Sequence, residues 1–292
     1  MDFNQVKYFL ALAETLNFTR AAEQCNVSQP ALTQGIKRLE DELGGPLITR
    51  DGRYTQLTVL GHSLHSHFEQ INRTRHLVSK TAKEVVSGEV AELNIGIMCT
   101  IGPRVLGGLF NVFQKQHPMT SVIFHDVIPE VIPNLLLTGA LDGVFCSRRG
   151  PAHPEIRYHE LFEETVGVAF AEDHPYTAKK SVSLSEIGTQ PYIDRLHCEF
   201  RQSAIDYYSE HKLDLNVVFS SERDDWIEGL VKSGAGITVI PQHSIMGPGL
   251  VFKPITEPGH SRTIELALAG DDEISTALSL LVNTAIDYDW PS

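Results

Sequence analysis

Two groups of side chains in this sequence have the types and spacing to do chemistry. Near the N-terminus, Gln29, Pro30, Thr33, Gln34 and Lys37 lie opposite an apolar stripe of Leu32, Ile36, Leu39 and Leu43 spaced as on a helix. Such a polar face fits a DNA major groove. Gln34 can donate to and accept from an adenine edge, Lys37 can reach guanine acceptors, and Thr33 carries a methyl for thymine. Arg20, Ser28, Arg50 and Arg53 flank this stretch and suit phosphate oxygens.

The second group surrounds Cys198, in the run His197-Cys198-Glu199-Phe200-Arg201. The thiolate is the reactive form of cysteine. Cations such as His197 and Arg201 would lower a thiol pKa from its free value of about 8.5, while Glu199 opposes them. Redox sensing, lining of a small-molecule pocket and inert packing are all open to Cys198. A cysteine-dependent enzyme with a histidine base is a further possibility, but no ordered third partner or hydrolase signature accompanies it. Cys25 and Cys146 read as small buried hydrophobes. The four cysteines match no zinc spacing, and neither a metal nor a cofactor is implied.

The elements that must hold these residues follow from periodicity. Val6, Phe9, Leu10, Ala13 and Leu16 predict a first amphipathic helix. Arg20–Cys25 predicts a short second helix, with Ala21 and Ala22 small enough for close crossing. Ser28 is a good N-cap for the third helix, with Pro30 in its first turn and Gly44-Gly45 at its end. This is a helix-turn-helix pattern. Asp51-Gly52 between two strand-like runs then predicts a wing.

From Thr58 to about Ser87 there is no proline, and positions 57, 64, 68, 71, 75, 78, 82 and 85 follow heptad spacing, with Arg75 the misfit. A helix of this length, about 45 Å at 1.5 Å per residue, cannot bury that seam on itself. The spacing predicts a dimerisation helix with Phe68 and Ile71 in the seam, followed by a hinge at Ser87-Gly88-Glu89. Beyond it strands and helices alternate, a rhythm that predicts parallel sheets with helices on their faces.

The 292 residues suggest roughly two domains. The net charge of −13 at first argues against a nucleic-acid partner. However, residues 1–87 carry 10 Lys and Arg against 9 Asp and Glu, whereas residues 88–292 carry 14 against 28. The acidic excess belongs to the C-terminal part, and the N-terminal part is free to approach a polyanion. No apolar run is long enough for a membrane span, and no export signal is visible at the N-terminus. The expectation is a cytoplasmic protein with reduced thiols and no membrane partner.

The sequence resembles the LysR-type bacterial transcription regulators from end to end. The resemblance is densest at Ala21-Ala22, Val27-Ser28-Gln29-Pro30-Ala31-Leu32-Thr33, Ile36, Leu39-Glu40, Leu43-Gly44, Pro46-Leu47, Arg50, Thr58 and Gly61. Ile48 stands where the family usually carries Phe. The resemblance implies an α/β protein in three parts. They are a winged helix-turn-helix (1–58), a linker helix (59–87) and a two-lobed effector domain like a periplasmic binding protein (88–292). Lobe I would cover about 90–162 and 265–292, and lobe II about 163–264. It also implies double-stranded promoter DNA and RNA polymerase as partners, a homodimer through the linker helix, and a homotetramer.

Within the effector domain, Met98-Cys99-Thr100-Ile101-Gly102-Pro103, the His197–Gln202 run and Arg262-Thr263-Ile264 resemble the peroxide-sensing OxyR branch. That resemblance implies that Cys198 is the oxidised thiol, that Thr100 holds the peroxide and that Arg262 favours the thiolate. Two positions depart from the branch: Tyr207 replaces its resolving cysteine, and Pro129 replaces a second threonine. Oxidation would then stop at a sulfur acid or pair Cys198 with another thiol. The alternative effector is a small organic anion held between the lobes by Thr100 and the N–H groups of the following helix.

Overall fold

The computed structural model describes residues 1–51, 54–87, 91–148, 150–245, 247–256, 260–270 and 274–291, without the side chains of 51, 77, 80, 81 and 83–87. Arg53, the Gly52 turn and the Gly88-Glu89 hinge therefore lie outside the described residues. The chain forms two compact units. One is Met1–Glu89 with Leu137–Ala140, and the other is Val90–Leu136 with Leu141–Ser292.

In the N-terminal unit, α1 (Phe3–Thr15), α2 (Phe18–Cys25) and α3 (Gln29–Leu43) each start on a side-chain cap. Asp2 and Gln5 form a reciprocal capping box, Asn17 accepts from Thr19 and Arg20, and Ser28 accepts from Ala31. Asn17 thus opens α2 two residues earlier than the periodicity suggests. Gly44 ends α3 at φ 77°, a left-handed conformation that glycine adopts without penalty. Ring packing seats α3 on α1: a Cβ at Gly35 would lie 2.6 Å from the Tyr8 ring, so only glycine admits that contact. Strands β1 (Ile48–Asp51) and β2 (Tyr54–Leu57) pair antiparallel as the wing, with Ile48 opposite Leu57.

Helix α4 (Val59–Ser87) has the expected length, and part of its heptad stripe is buried within the chain itself. Phe68 is only 3% exposed and belongs to the same core as Phe9, Leu12, Leu32 and Leu39. Its ring lies 5.0 Å from that of Phe9, and Leu57, Leu64 and Ile71 pack around this core. The N-terminal half of the heptad stripe is therefore spent within the chain on α1. Heptad spacing specifies that a stripe is buried but not against what. Farther along α4, Val78 and Ala82 are exposed, and the Val85 side chain lies outside the described residues.

The C-terminal unit begins with β3 (Ala91–Met98), α5 (Pro103–Gln116), β4 (Thr120–Val127), α6 (Ile132–Leu137) and β5 (Gly143–Cys146). The long strand β6 (Ile156–Ala171) follows, then α7 (Leu184–Gly188), β7 (Tyr192–Arg195), α8 (Arg201–Glu210) and β8 (Val217–Ser221). The chain closes with α9 (Asp224–Lys232), β9 (Thr238–Pro241), β10 (Leu250–Pro254), β11 (His260–Ala269) and α10 (Thr276–Asp287). The main sheet runs β10-β6-β11-β5-β3-β4, with β9 also on β6.

This sheet is mixed, which corrects the expectation of parallel sheets. Strand β3 pairs parallel with β4 and β5, and β7 pairs parallel with β8, but β6 is antiparallel to β9, β10 and β11. Helical crossovers α5 and α6 lie between the parallel strands β3, β4 and β5, whereas β11 enters between β5 and β6 and runs antiparallel to both. Strand β6 is shared between partners: its first part pairs with β11, and Gly167–Ala171 pairs with β10.

Candidate functional site

Gln29, Pro30, Gln34 and Lys37 are exposed on α3, Thr33 is half-buried, and Leu32, Ile36 and Leu39 are turned into the core. Thr33 Oγ1 donates back to the Gln29 carbonyl at 2.9 Å, which fixes the rotamer that presents its methyl. Ser28 is already engaged as the N-cap, at 3.4 Å from Ala31 N, so its hydroxyl helps to build the helix as well as facing outward. Arg20 is exposed on α2, and the Arg50 guanidinium lies 3.7 Å from the centre of the Phe18 ring. That cation–π contact holds the Arg50 charge beside the first turn of α2.

Of two further residues on this surface, Arg38 was not singled out from sequence, and Glu40 was named only as part of the family motif. Arg38 is exposed beside Lys37. Glu40 Oε1 accepts from Leu47 N at 2.8 Å and Ile48 N at 3.1 Å, tying the wing to α3. Its position within the family motif was the available signal.

In the C-terminal unit, Thr100 follows β3, Cys198 follows β7, and Glu164 and Arg262 sit on the paired strands β6 and β11. Arg262 ties these segments together. Its Nη1 donates to Thr100 Oγ1 at 2.8 Å, and its Nη2 donates to the Thr100 carbonyl at 2.9 Å. It also pairs with Glu164, 2.8 Å from Nε, and with Glu199. Ser244 Oγ donates to the Thr100 carbonyl at 2.7 Å, and Glu164 accepts from His243 N at 3.0 Å. Gly102 lets this turn come close: a Cβ there would lie 2.4 Å from the His243 carbonyl oxygen. Burial works to raise the Glu199 carboxyl, but the charge and hydrogen bond of Arg262 outweigh it and hold the group below its ordinary range.

Arg262 is thus bound by two carboxylates, and the guanidinium hydrogen-bonded to the thiol is Arg195. Its Nη1 lies 3.9 Å from Cys198 Sγ, its other nitrogens hold Asp224, and it is 2% exposed. Arg195 was missed from sequence although it stands three residues before Cys198, within one turn closed by Cys198 N on the Arg195 carbonyl at 3.1 Å. The residues expected to act on the thiol are engaged elsewhere. Arg201 Nε pairs with Asp194 at 2.8 Å, and His197 Nε2 lies 3.6 Å from Glu222. Burial raises the Cys198 thiol, and Arg195 only partly offsets it, so the expected lowering is not found. Tyr207, in place of a resolving cysteine, stacks on His211 with ring centres 4.0 Å apart. Pro129 opens a short 3-10 turn. Beside Arg262, a polar cavity of about 380 Å³ is lined by Ser147, Arg148, Phe200, His260, Thr263 and Glu265 among others. Among the described residues, no cluster of His, Cys, Asp and Glu is placed to hold a metal ion, and no helix is long and apolar enough to cross a membrane.

A capped helix-turn-helix with a wing, joined to a two-lobed α/β unit, defines a class of bacterial regulators. Residues 3–62 match the bacterial regulatory helix-turn-helix protein, lysR family, and residues 87–289 match the LysR substrate binding domain. The chain belongs to the LysR family and is a DNA-binding transcription regulator. It is 28% identical over 274 residues to the DNA-binding transcriptional dual regulator OxyR of Escherichia coli, covering 91% of this chain and 88% of that protein. A full-length OxyR cysteine-to-aspartate variant from Pseudomonas aeruginosa superposes with a TM-score of 0.66 at 24% identity, covering 99% of this chain and 96% of that one. Full-length CbnR complexed with its target DNA superposes with a TM-score of 0.57 at 23% identity, covering 98% and 99%.

Proposed function

We propose that this regulator responds to a hydroperoxide through oxidation of Cys198. The observation that carries the reading is the charge arrangement beside the thiol. Arg262, the cation at Thr100, is bound by Glu164 and Glu199, and Arg195 is bound by Asp224. An organic anion entering beside Thr100 meets these carboxylates, whereas a neutral peroxide meets hydrogen-bonding groups and the thiol of a partly buried cysteine. The small-anion reading therefore has less support. So does a cysteine-dependent enzyme, since neither Cys99 nor Cys198 hydrogen-bonds a histidine ring among the described residues. In the oxidation step the Cys198 sulfur bonds to one peroxide oxygen, the O–O bond breaks, and the thiol proton leaves with the departing hydroxide as water.

Peroxide in graded doses, followed by thiol labelling and mass mapping of the intact chain, tests this reading. Cys198 should be the first of the four thiols to be consumed. Burial raises all four thiols, but Cys25 and Cys146 are buried from solvent, and Cys198 has a guanidinium hydrogen-bonded to its sulfur and hydrogen-bonding groups for a peroxide nearby. Earlier loss of any other thiol overturns the reading.

On DNA, the reading assigns base edges to Gln29, Thr33, Gln34 and Lys37, with Pro30 packed at the groove wall. It assigns phosphates to Arg20, Ser28, Arg50 and Arg53. Lys37→Ala is expected to cost about 1–3 kcal/mol at the preferred site and to relax discrimination there. Arg50→Ala should weaken all sequences alike and reduce the salt slope by about 1. Equal losses on specific and random DNA for both variants would contradict the assignment. The assembly is read as a tetramer built from dimers joined through α4, acting in the cytoplasm on promoter DNA and on RNA polymerase.

A further inference from the structure

Cys25 and Cys146 are buried, whereas Cys99 and Cys198 are the partly exposed thiols. These two come from separate segments, after β3 and after β7, yet the structure brings the segments together. Cys99 Sγ lies 3.9 Å from the carbonyl oxygen of His197, the peptide unit that leads into Cys198. The residues that follow the two cysteines, Thr100 and Glu199, are both bound by the same nitrogen of Arg262. Arg195 and Glu199 act electrostatically on both thiols, and Cys198 acts on Cys99. The position that would hold a nearby second thiol along α8 carries Tyr207, packed on His211.

We propose that Cys99 is the resolving thiol, and that oxidation ends in a Cys99–Cys198 disulfide joining the two segments. The proposal rests on the reading that Cys198 meets a hydroperoxide. After the first step leaves Cys198 as a sulfenic acid, the Cys99 sulfur attacks the Cys198 sulfur and the S–O bond breaks. The sulfenic hydroxyl departs with the Cys99 proton as a second water. Overall, two thiols give up two hydrogens and two electrons to one peroxide, forming one disulfide and two waters. Burial raises both thiols, so the reaction depends on how close they lie. Inside the pair, proximity replaces a bimolecular encounter.

The bridge has a mechanical consequence. A disulfide holds its two Cα atoms about 4.4–6.8 Å apart, so it fixes the spacing of the loops that carry Thr100 and Glu199. Both loops are linked by Arg262 to the paired strands β6 and β11. Closing the bridge would select one lobe arrangement and so bias a two-state element.

The test uses the full chain treated with hydrogen peroxide, blocked with an alkylating reagent and digested without reduction. The expected result is a peptide pair joining Cys99 to Cys198, two hydrogens lighter than its parts. This pair should be lost in Cys99→Ser and in Cys99→Ala, where dimedone should label Cys198 instead. Lasting dimedone labelling of Cys198 in the unaltered chain, with Cys99 free, overturns the resolving role but leaves the peroxide reading intact. A parallel titration in glutathione redox buffer needs no peroxide chemistry. Closure of the bridge there supports the pairing even if peroxide leaves Cys198 untouched; failure in both arms overturns it.

Discussion

Arg262→Met is expected to destabilise the C-terminal unit by about 3–5 kcal/mol, because it leaves Glu164 and Glu199 buried without their cation. Methionine keeps much of the length of the side chain, so the loss reports charge and hydrogen bonding more than volume. Both tryptophans, Trp226 and Trp290, lie in this unit, so their fluorescence in urea follows it alone. The pH dependence should change sign. In the unaltered protein the Glu199 carboxyl is held below its ordinary range by Arg262, against the upward push of burial. Its stabilisation is therefore complete above the ordinary glutamate pKa and is lost as the pH falls through the lowered folded value. Without Arg262, burial dominates and the folded carboxyl rises above its unfolded value, so the deficit of the variant should shrink on acidification. A deficit that stayed constant from neutral pH to pH about 4 would show that Arg262 acts there only by packing.

Phe68→Ala should cost about 3–5 kcal/mol, the range for removing a buried phenylalanine. The cost should fall on the N-terminal unit, since the Phe68 ring packs on Phe9 within the core that seats α3. Amide exchange in α1 and α3 should accelerate, and DNA binding should fall for all sequences together. A residue serving only a dimer seam would behave differently. Its removal would make association weaker and concentration-dependent while α1 amides stayed protected. Sedimentation and amide exchange on the same variant separate the two outcomes.

The N-terminal unit was largely legible because its signals are local. Ser28, Pro30 and Gly44 mark the start and end of α3 within a few residues, and the Leu32, Ile36 and Leu39 stripe names the buried face. Asp51-Gly52 marked the wing, and the family resemblance added the two lobes. Heptad spacing marked Phe68 as buried but not by what, since α1 of its own chain can cover the same stripe that a second helix would. The charged network was not legible at all. Glu164 and Arg262 are 98 positions apart, and Arg195 and Asp224 are 29 apart. A charge distant from its partner in sequence reads as a solvated surface group until the fold pairs it. The same limit applies to Cys99 and Cys198, and to the antiparallel strands β6 and β11, whose pairing no local period encodes.

The role proposed for Cys198 is that its oxidation state sets how this regulator occupies DNA. It is tested most directly by following, on one peroxide-titrated sample, both the fraction of Cys198 oxidised and the footprint on a preferred operator. The two curves should rise together, returning to the start on reduction, and Cys198→Ser should keep the reduced footprint at every dose. A footprint that shifts in Cys198→Ser, or one that stays fixed while Cys198 is fully oxidised, would contradict the account.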